Sequence, residues 1–227
     1  MNQRTIVRFV VREVMGAVLL GVALFWAAGR LDWWAAWALI GLTLAWSAAT
    51  AIVILRVSPD LLAERLGRAK GGKKWDRAIM GVVGLLILVR PVVAGLDQRY
   101  GWTSGISLPA QIAALVVCVL GYALVVWATG SNAYFSQIVR IQGERGHAVA
   151  MGGPYRWVRH PAYVGTILTE LAAPILLASW WALIPSAVSI ILFVVRTALE
   201  DRTLQEELPG YAEYAAKVRW RLLPRVW

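Results

Sequence analysis

Charged residues are scarce in this 227-residue chain, at 16% of the total, where a soluble domain carries about a quarter. There is one cysteine and there are two histidines. A lone Cys118 excludes an intrachain disulfide, and inside an apolar run it reads as a small buried residue rather than a reactive thiol. No metal site is expected. No G-x-G-x-x-G fingerprint opens a helix after a strand, so a dinucleotide fold of that kind has no sequence support. No small-residue cleavage site follows the first apolar run, which is too long for a signal peptide and is read as a retained span. The net charge of +10 does not require nucleic acid, since basic connections on an anionic membrane surface produce the same excess.

Hydrophobic residues are abundant, at 59%, with a mean hydropathy of +0.61. They fall in six runs, over 10–28, 33–55, 78–96, 107–128, 161–178 and 180–199. Each approaches the ~20 residues that cross the hydrocarbon core as a helix. Backbone groups in lipid must satisfy one another, so helices are the default. The expected fold is an all-α polytopic membrane protein with about six transmembrane helices. Trp33, Trp34, Trp37, Trp102, Trp180 and Trp181 suit interfacial belts. Of the 23 Lys and Arg residues, all but Arg30, Arg90 and Arg99 fall at the N-terminus, in the two long connections or from the end of the last span (Arg196) onward. The asymmetry puts both termini and both long connections in the cytoplasm.

The connection over 57–77 opens with Ser58-Pro59, an N-cap followed by proline at the first helical position. Leu61, Leu62 and Leu66 then form an apolar stripe, so 59–69 is read as a basic amphipathic helix on the bilayer surface. The other connection, 129–160, is long enough to suggest a function. Its stretch 134–142, YFSQIVRIQ, alternates as a strand would. His147, in a glycine-rich part of it, is read as a solvated loop residue.

The stretch 152–165, GGPYRWVRHPAYVG, precedes a hairpin whose outer turn, Ala178-Ser179-Trp180, is very short. The hairpin must bring this stretch next to 196–214, RTALEDRTLQEELPGYAEY. Pro161 begins a helix, and the amides there attract anions. Arg159 and His160 add donors. Tyr155, Trp157 and Tyr163 offer faces to a nucleobase or a sulfonium, and Glu200 and Asp201 offer acceptors. Together these groups suit a zwitterionic, nucleoside-bearing cofactor. Taken singly, the arginines are ordinary anchors and the aromatics ordinary belt residues. Two acids at a helix C-terminus oppose its dipole and make better sense if the helix continues into the cytoplasm. Arg90 and Glu170 lie inside spans, at similar depth, where a charge usually serves function. They are expected either to pair across the bundle and line a substrate cavity, or to snorkel separately.

The ordered set G-P-Y-x-x-V-R-H-P-x-Y-x-G, an apolar hairpin, an acidic pair, a Tyr-x-x-Tyr helix and a terminal R-L-x-P resembles the isoprenylcysteine carboxyl methyltransferase family and the related phospholipid methyltransferases, over roughly 132–225. The resemblance implies S-adenosylmethionine as cofactor, held by Gly153, Tyr155, Arg159, His160, Pro161, Tyr163, Glu200 and Asp201. Asp201 stands where the family usually has a second glutamate. It also implies Arg196 near the acidic group of the acceptor, and Arg159 and Tyr163 are expected at the reacting centre. Arg90 and Glu170, from their depth in the spans, are expected with Arg196 around the substrate. Residues 1–128 become a variable region of four spans. Residues 129–227 become the catalytic region, with connection 129–160, hairpin 161–199 and a cytosolic helical segment 200–227. The acceptor is expected to be lipophilic or lipid-anchored. With no spare base in sight, a carboxylate or thiolate is favoured over a phospholipid amine. A sterol-type reductase using NADPH, or a non-catalytic lipid-binding protein, are the rival classes. The implied location is the cytoplasmic face of a bacterial inner membrane.

Overall fold

A computed structural model describes residues 3–57 and 71–227, so the proposed surface helix over 59–69 lies outside the described residues. The long apolar runs fold as α1 (Gln3–Ala28), α2 (Trp34–Val57), α3 (Lys74–Tyr100), α4 (Leu108–Gly130) and α6 (Leu183–Glu207). All five are long and apolar enough to cross a membrane. Between the last two of these, α5 (Pro161–Leu176) is also apolar but has only 16 residues. At 1.5 Å per residue it reaches about 24 Å, short of the ~30 Å hydrocarbon core. The fifth run, 161–178, therefore forms a shorter helix than its hydropathy suggests. It ends at Leu176 because Ala178 turns left-handed (φ 55°) and Ser179 N–H returns to the Pro174 carbonyl at 2.9 Å. A short α7 (Tyr211–Lys217) follows the break at 208–210.

Large apolar side chains such as Val18, Val22, Leu85, Leu120 and Ile191 face outward, as lipid contact requires. Trp34, Trp37, Trp102, Trp180 and Trp181 are exposed, but Trp33 is 5% exposed and packs in the core with Leu24, Leu39 and Leu176. Cys118 is buried in the same core. At the tip of the α5–α6 hairpin, buried Asp97 accepts from Thr103 N–H at 2.7 Å and from Ser179 Oγ at 2.5 Å. That cluster fixes the tip to the end of α3.

Small residues bring α4 and α5 into backbone contact, as small-residue pairs do in membranes. A Cβ on Gly121 would lie 2.7 Å from the Gly165 carbonyl oxygen and 2.6 Å from Thr169 Oγ1. Gly121→Ala should therefore force the helices apart at a cost of about 1–3 kcal/mol. Gly16→Ala on α1, where nothing lies within 4 Å of a new Cβ, should be neutral or stabilising. Thermal unfolding of both variants in detergent checks the contrast.

One step deeper between the helices, Arg90 on α3 donates to Glu170 on α5 at 2.5 Å, and both side chains are nearly buried. The two intramembrane charges pair.

Candidate active site

The motif stretch owes its shape to a short 3₁₀ turn, Gly153–Arg156. Gly153 has φ 55°, and a Cβ there would crowd the Ser131 Cβ at 2.9 Å, so only glycine fits both the conformation and the contact. Beyond the turn the backbone pairs with the C-terminal segment. Arg159 N–H donates to the Trp220 carbonyl at 2.9 Å and His160 N–H to the Arg221 carbonyl at 3.0 Å. Pro161 then starts α5 at a position where no N–H is needed.

Asp201, fully buried on α6, is the centre of the polar framework. It accepts from Arg159 through both oxygens at 2.7 and 2.9 Å, from Arg221 Nε at 2.8 Å, from Tyr211 Oη at 3.1 Å and from Gln205 Nε2 at 2.8 Å. His160 Nε2 lies 3.1 Å from the same carboxylate. Arg159 spends two further donors on the carbonyls of Val218 and Arg219, both at 2.8 Å. Of the five N–H groups an arginine carries, four are thus engaged by the protein. Tyr214 Oη donates to the Tyr155 carbonyl at 2.7 Å, and Asn132 Nδ2 approaches Tyr155 Oη at 3.4 Å. Burial pushes the phenols of Tyr155, Tyr211 and Tyr214 above their ordinary range, so they stay protonated hydrogen-bonding groups.

Beside this framework opens a cavity of about 480 Å³, within the range of small-molecule sites. Tyr155, Arg159, His160, Tyr163, Arg196 and Glu200 supply its polar wall. Tyr163 Oη donates to Glu200, and the Arg196 guanidinium stands over the Tyr163 ring, 5.4 Å from its centre. Trp46 and Thr50 of α2, Met80 of α3 and Phe193 of α6 line it too, so residues from both sides of the 128/129 division share one cavity. Gly153 and Pro161 shape the motif from behind. Asp201 lies beneath the wall, and among the described residues the Arg90–Glu170 pair does not line this cavity.

The connection over 131–160 folds without a strand among the described residues. Its alternation does not lead to strand pairing because side chains take its backbone groups: Asp76 accepts from the Val139 N–H at 2.9 Å. Buried Gln142 donates through Nε2 to the Tyr134 carbonyl at 2.7 Å. Its backbone N–H donates to His147 Nδ1 at 3.2 Å, and the His147 ring lies against Tyr134. Burial first, then the charges of Arg140 and Arg145, lowers the His147 pKa. His147 is thus a neutral, half-buried acceptor that holds the loop.

Asp76 is the functional-region residue that sequence reasoning missed, and Tyr211 and Arg221 entered it only as parts of the Tyr-x-x-Tyr and R-L-x-P patterns, with no role assigned. Asp76 is a lone acid in KKWDR, where a helix-start role already explains it. Arg221 lies in the terminal R-L-x-P, a pattern that gave it no partner.

The sequence profile of the isoprenylcysteine carboxyl methyltransferase family matches residues 113–206. An uncharacterized protein of Bacillus subtilis (strain 168), YpbQ, is 32% identical over 129 residues, which are 56% of this chain and 71% of that protein. The solved structure of the eukaryotic intramembrane Ras methyltransferase of the same family has the same fold, with a TM-score of 0.54 at 17% identity, over 90% of this chain and 74% of that one. With the hairpin, the motif and the acidic pair assembled as described, the chain belongs to the isoprenylcysteine carboxyl methyltransferase family of integral membrane methyltransferases.

Proposed function

We propose that this protein transfers a methyl group from S-adenosylmethionine to a lipophilic acceptor bearing a carboxylate or thiolate, on the cytoplasmic face of the membrane. The observation that carries this is the pairing of Glu200 with Tyr163 on a cavity wall that also holds His160 and Arg196. The donor set fits the cofactor. Glu200 is an anionic acceptor for an ammonium or ribose hydroxyls, and the Tyr155 and Tyr163 rings suit a sulfonium or a base. When bound, the sulfonium supplies an electrophilic methyl group.

The chain's own part is positioning, which contributes much of the rate of such transfers. Glu200 and Tyr163 orient the donor side, and Arg196 presents N–H groups to an acceptor oxygen. Trp46, Met80 and Phe193 give the acceptor's hydrocarbon an apolar wall away from water. Arg159 holds the framework through Asp201 rather than reaching the reacting atoms. A carboxylate or thiolate needs no base. Both histidines are otherwise engaged, His160 with Asp201 and His147 with its own loop, which supports such an acceptor. The basic flank before α3 supports the orientation, since Lys73 meets Glu207 at the end of α6 at 2.5 Å. Basic segments from two connections and the C-terminus thus gather at the cavity's end of the bundle.

Mass spectrometry of membrane lipids after incubation with isotopically labelled methyl donor, with and without the protein, tests the proposal. Label is expected in a base-labile methyl ester or in a thioether. Label in methylated amino headgroups would contradict it and point to a phospholipid amine instead.

A further inference from the structure

Asp76, in the first turn of α3, is fully buried and does not line the cavity. Its Oδ1 accepts from Arg196 Nε at 2.6 Å, and its Oδ2 accepts from Val139 N–H at 2.9 Å. Two further bonds close the arrangement. Arg196 Nη2 donates to the Gln137 carbonyl at 2.9 Å, and Lys73 N–H donates to the Val139 carbonyl at 3.2 Å. One carboxylate therefore ties together the start of α3, the connection over 137–139 and the middle of α6. Gln137, Ile138 and Arg196 line the cavity.

We infer that Asp76 is a positioning residue for methyl transfer. It aims the Arg196 guanidinium across the Tyr163 face and fixes the segment 137–139 as a wall of the acceptor site. The inference rests on the proposed methyltransferase reading. A buried arginine beside a carboxylate keeps its charge but loses its freedom to swing. Two of the five Arg196 N–H groups are spent on Asp76 and Gln137, which leaves a fixed fork of donors for an oxygen of the acceptor. The pair is also charge-balanced, so recognition depends on where those donors point rather than on net positive charge. The chain from Asp76 through Arg196 and Tyr163 to Glu200 then links the acceptor side to the donor side. It also gives the N-terminal half, where the family pattern has no motif, a defined part in the reaction.

The test uses the full chain in nanodiscs made with lipids of its source membrane. Transfer from tritiated S-adenosylmethionine to those lipids is measured with S-adenosylhomocysteine affinity and amide hydrogen exchange. Asp76→Asn and Arg196→Gln should each lower the transfer rate by about 30-fold or more, and the double variant should be no slower than the slower single, as for residues acting as one unit. Asp76→Glu should recover the rate to within about tenfold of wild type, with S-adenosylhomocysteine affinity unchanged within about threefold in every variant. Asp76→Ala and Arg196→Gln should both speed exchange over 133–142 by about tenfold while the α5–α6 hairpin stays protected.

Losses that multiply in the double variant would overturn the inference, as would an unaffected rate in Asp76→Asn. Loss of S-adenosylhomocysteine binding along with the rate would also overturn it, by assigning Asp76 to folding alone. Failure of the wild type to bind S-adenosylhomocysteine would instead sink the cofactor reading. In that case the exchange experiment still decides the clamp, and unchanged exchange over 133–142 would refute it.

Discussion

Asp201→Ala should destabilise the C-terminal half by about 3–5 kcal/mol, the cost of removing one partner from a buried ion network, while Glu200→Ala next to it should melt like the wild type. The two acids are adjacent in sequence but do different work. Asp201 is fully buried and takes hydrogen bonds from Arg159, Arg221, Tyr211 and Gln205. Without it, Arg159, itself 6% exposed, keeps a charge with no counterion, and the Tyr211 hydroxyl loses its acceptor. Leaving such groups unpaired is what makes the deletion costly. Glu200 is partly exposed on the cavity wall and accepts from Tyr163. Its removal strands one phenol beside an open cavity, where water can replace the carboxylate. Denaturant unfolding in detergent separates the two. An Asp201→Ala protein that unfolds with the wild type would show that the framework does not depend on its carboxylate.

Deletion of 219–227 should abolish cofactor binding, by more than about 100-fold, while the overall helix content is retained. The segment supplies the carbonyls of Trp220 and Arg221 to the amides of Arg159 and His160, the Arg219 carbonyl to the Arg159 side chain and the Arg221 guanidinium to Asp201. It is itself closed by Arg221, Leu222 and Leu223 amides donating to the Trp227 carbonyl and by Arg221 over the Trp227 ring. At about 0.5–1.5 kcal/mol for each ordinary hydrogen bond and more for a charged one, the loss exceeds what local relaxation recovers. Titration calorimetry with S-adenosylhomocysteine, beside far-UV circular dichroism, measures both quantities. Full binding by the truncated chain would mean that the motif holds its shape unaided.

Much of this architecture is legible in the sequence because lipid makes hydropathy nearly decisive. The long apolar runs are helices, and Pro161 marks the start of α5. The tight turn after α5 means that Tyr163 and Glu200, 37 residues apart, must meet. Arg90 and Glu170 could be set at similar depth from helical rise alone, and they pair. What the sequence hides is mostly which polar group takes which partner. Asp201 looks like Glu200 in the chain, yet one side chain points into the framework and the other onto the cavity wall, a matter of one step around α6. Asp76 has an ordinary helix-start explanation, so nothing marks it as a partner of Arg196, 120 residues away. The connection over 134–142 alternates like a strand, but Gln142 and Asp76 take its backbone groups one by one. Trp33 reads as an interfacial residue and is instead core, because the turn after α1 tucks it inward.

The most direct measurement is calorimetric titration of the purified protein in nanodiscs with S-adenosylhomocysteine and, in parallel, with NADPH. Saturable binding of S-adenosylhomocysteine alone is predicted, weakened by about tenfold or more in both Glu200→Ala and His160→Ala, the range expected for lost hydrogen bonds to charged groups. Binding of NADPH instead, or S-adenosylhomocysteine binding left unchanged by both substitutions, would contradict the assignment of this cavity to the methyl donor.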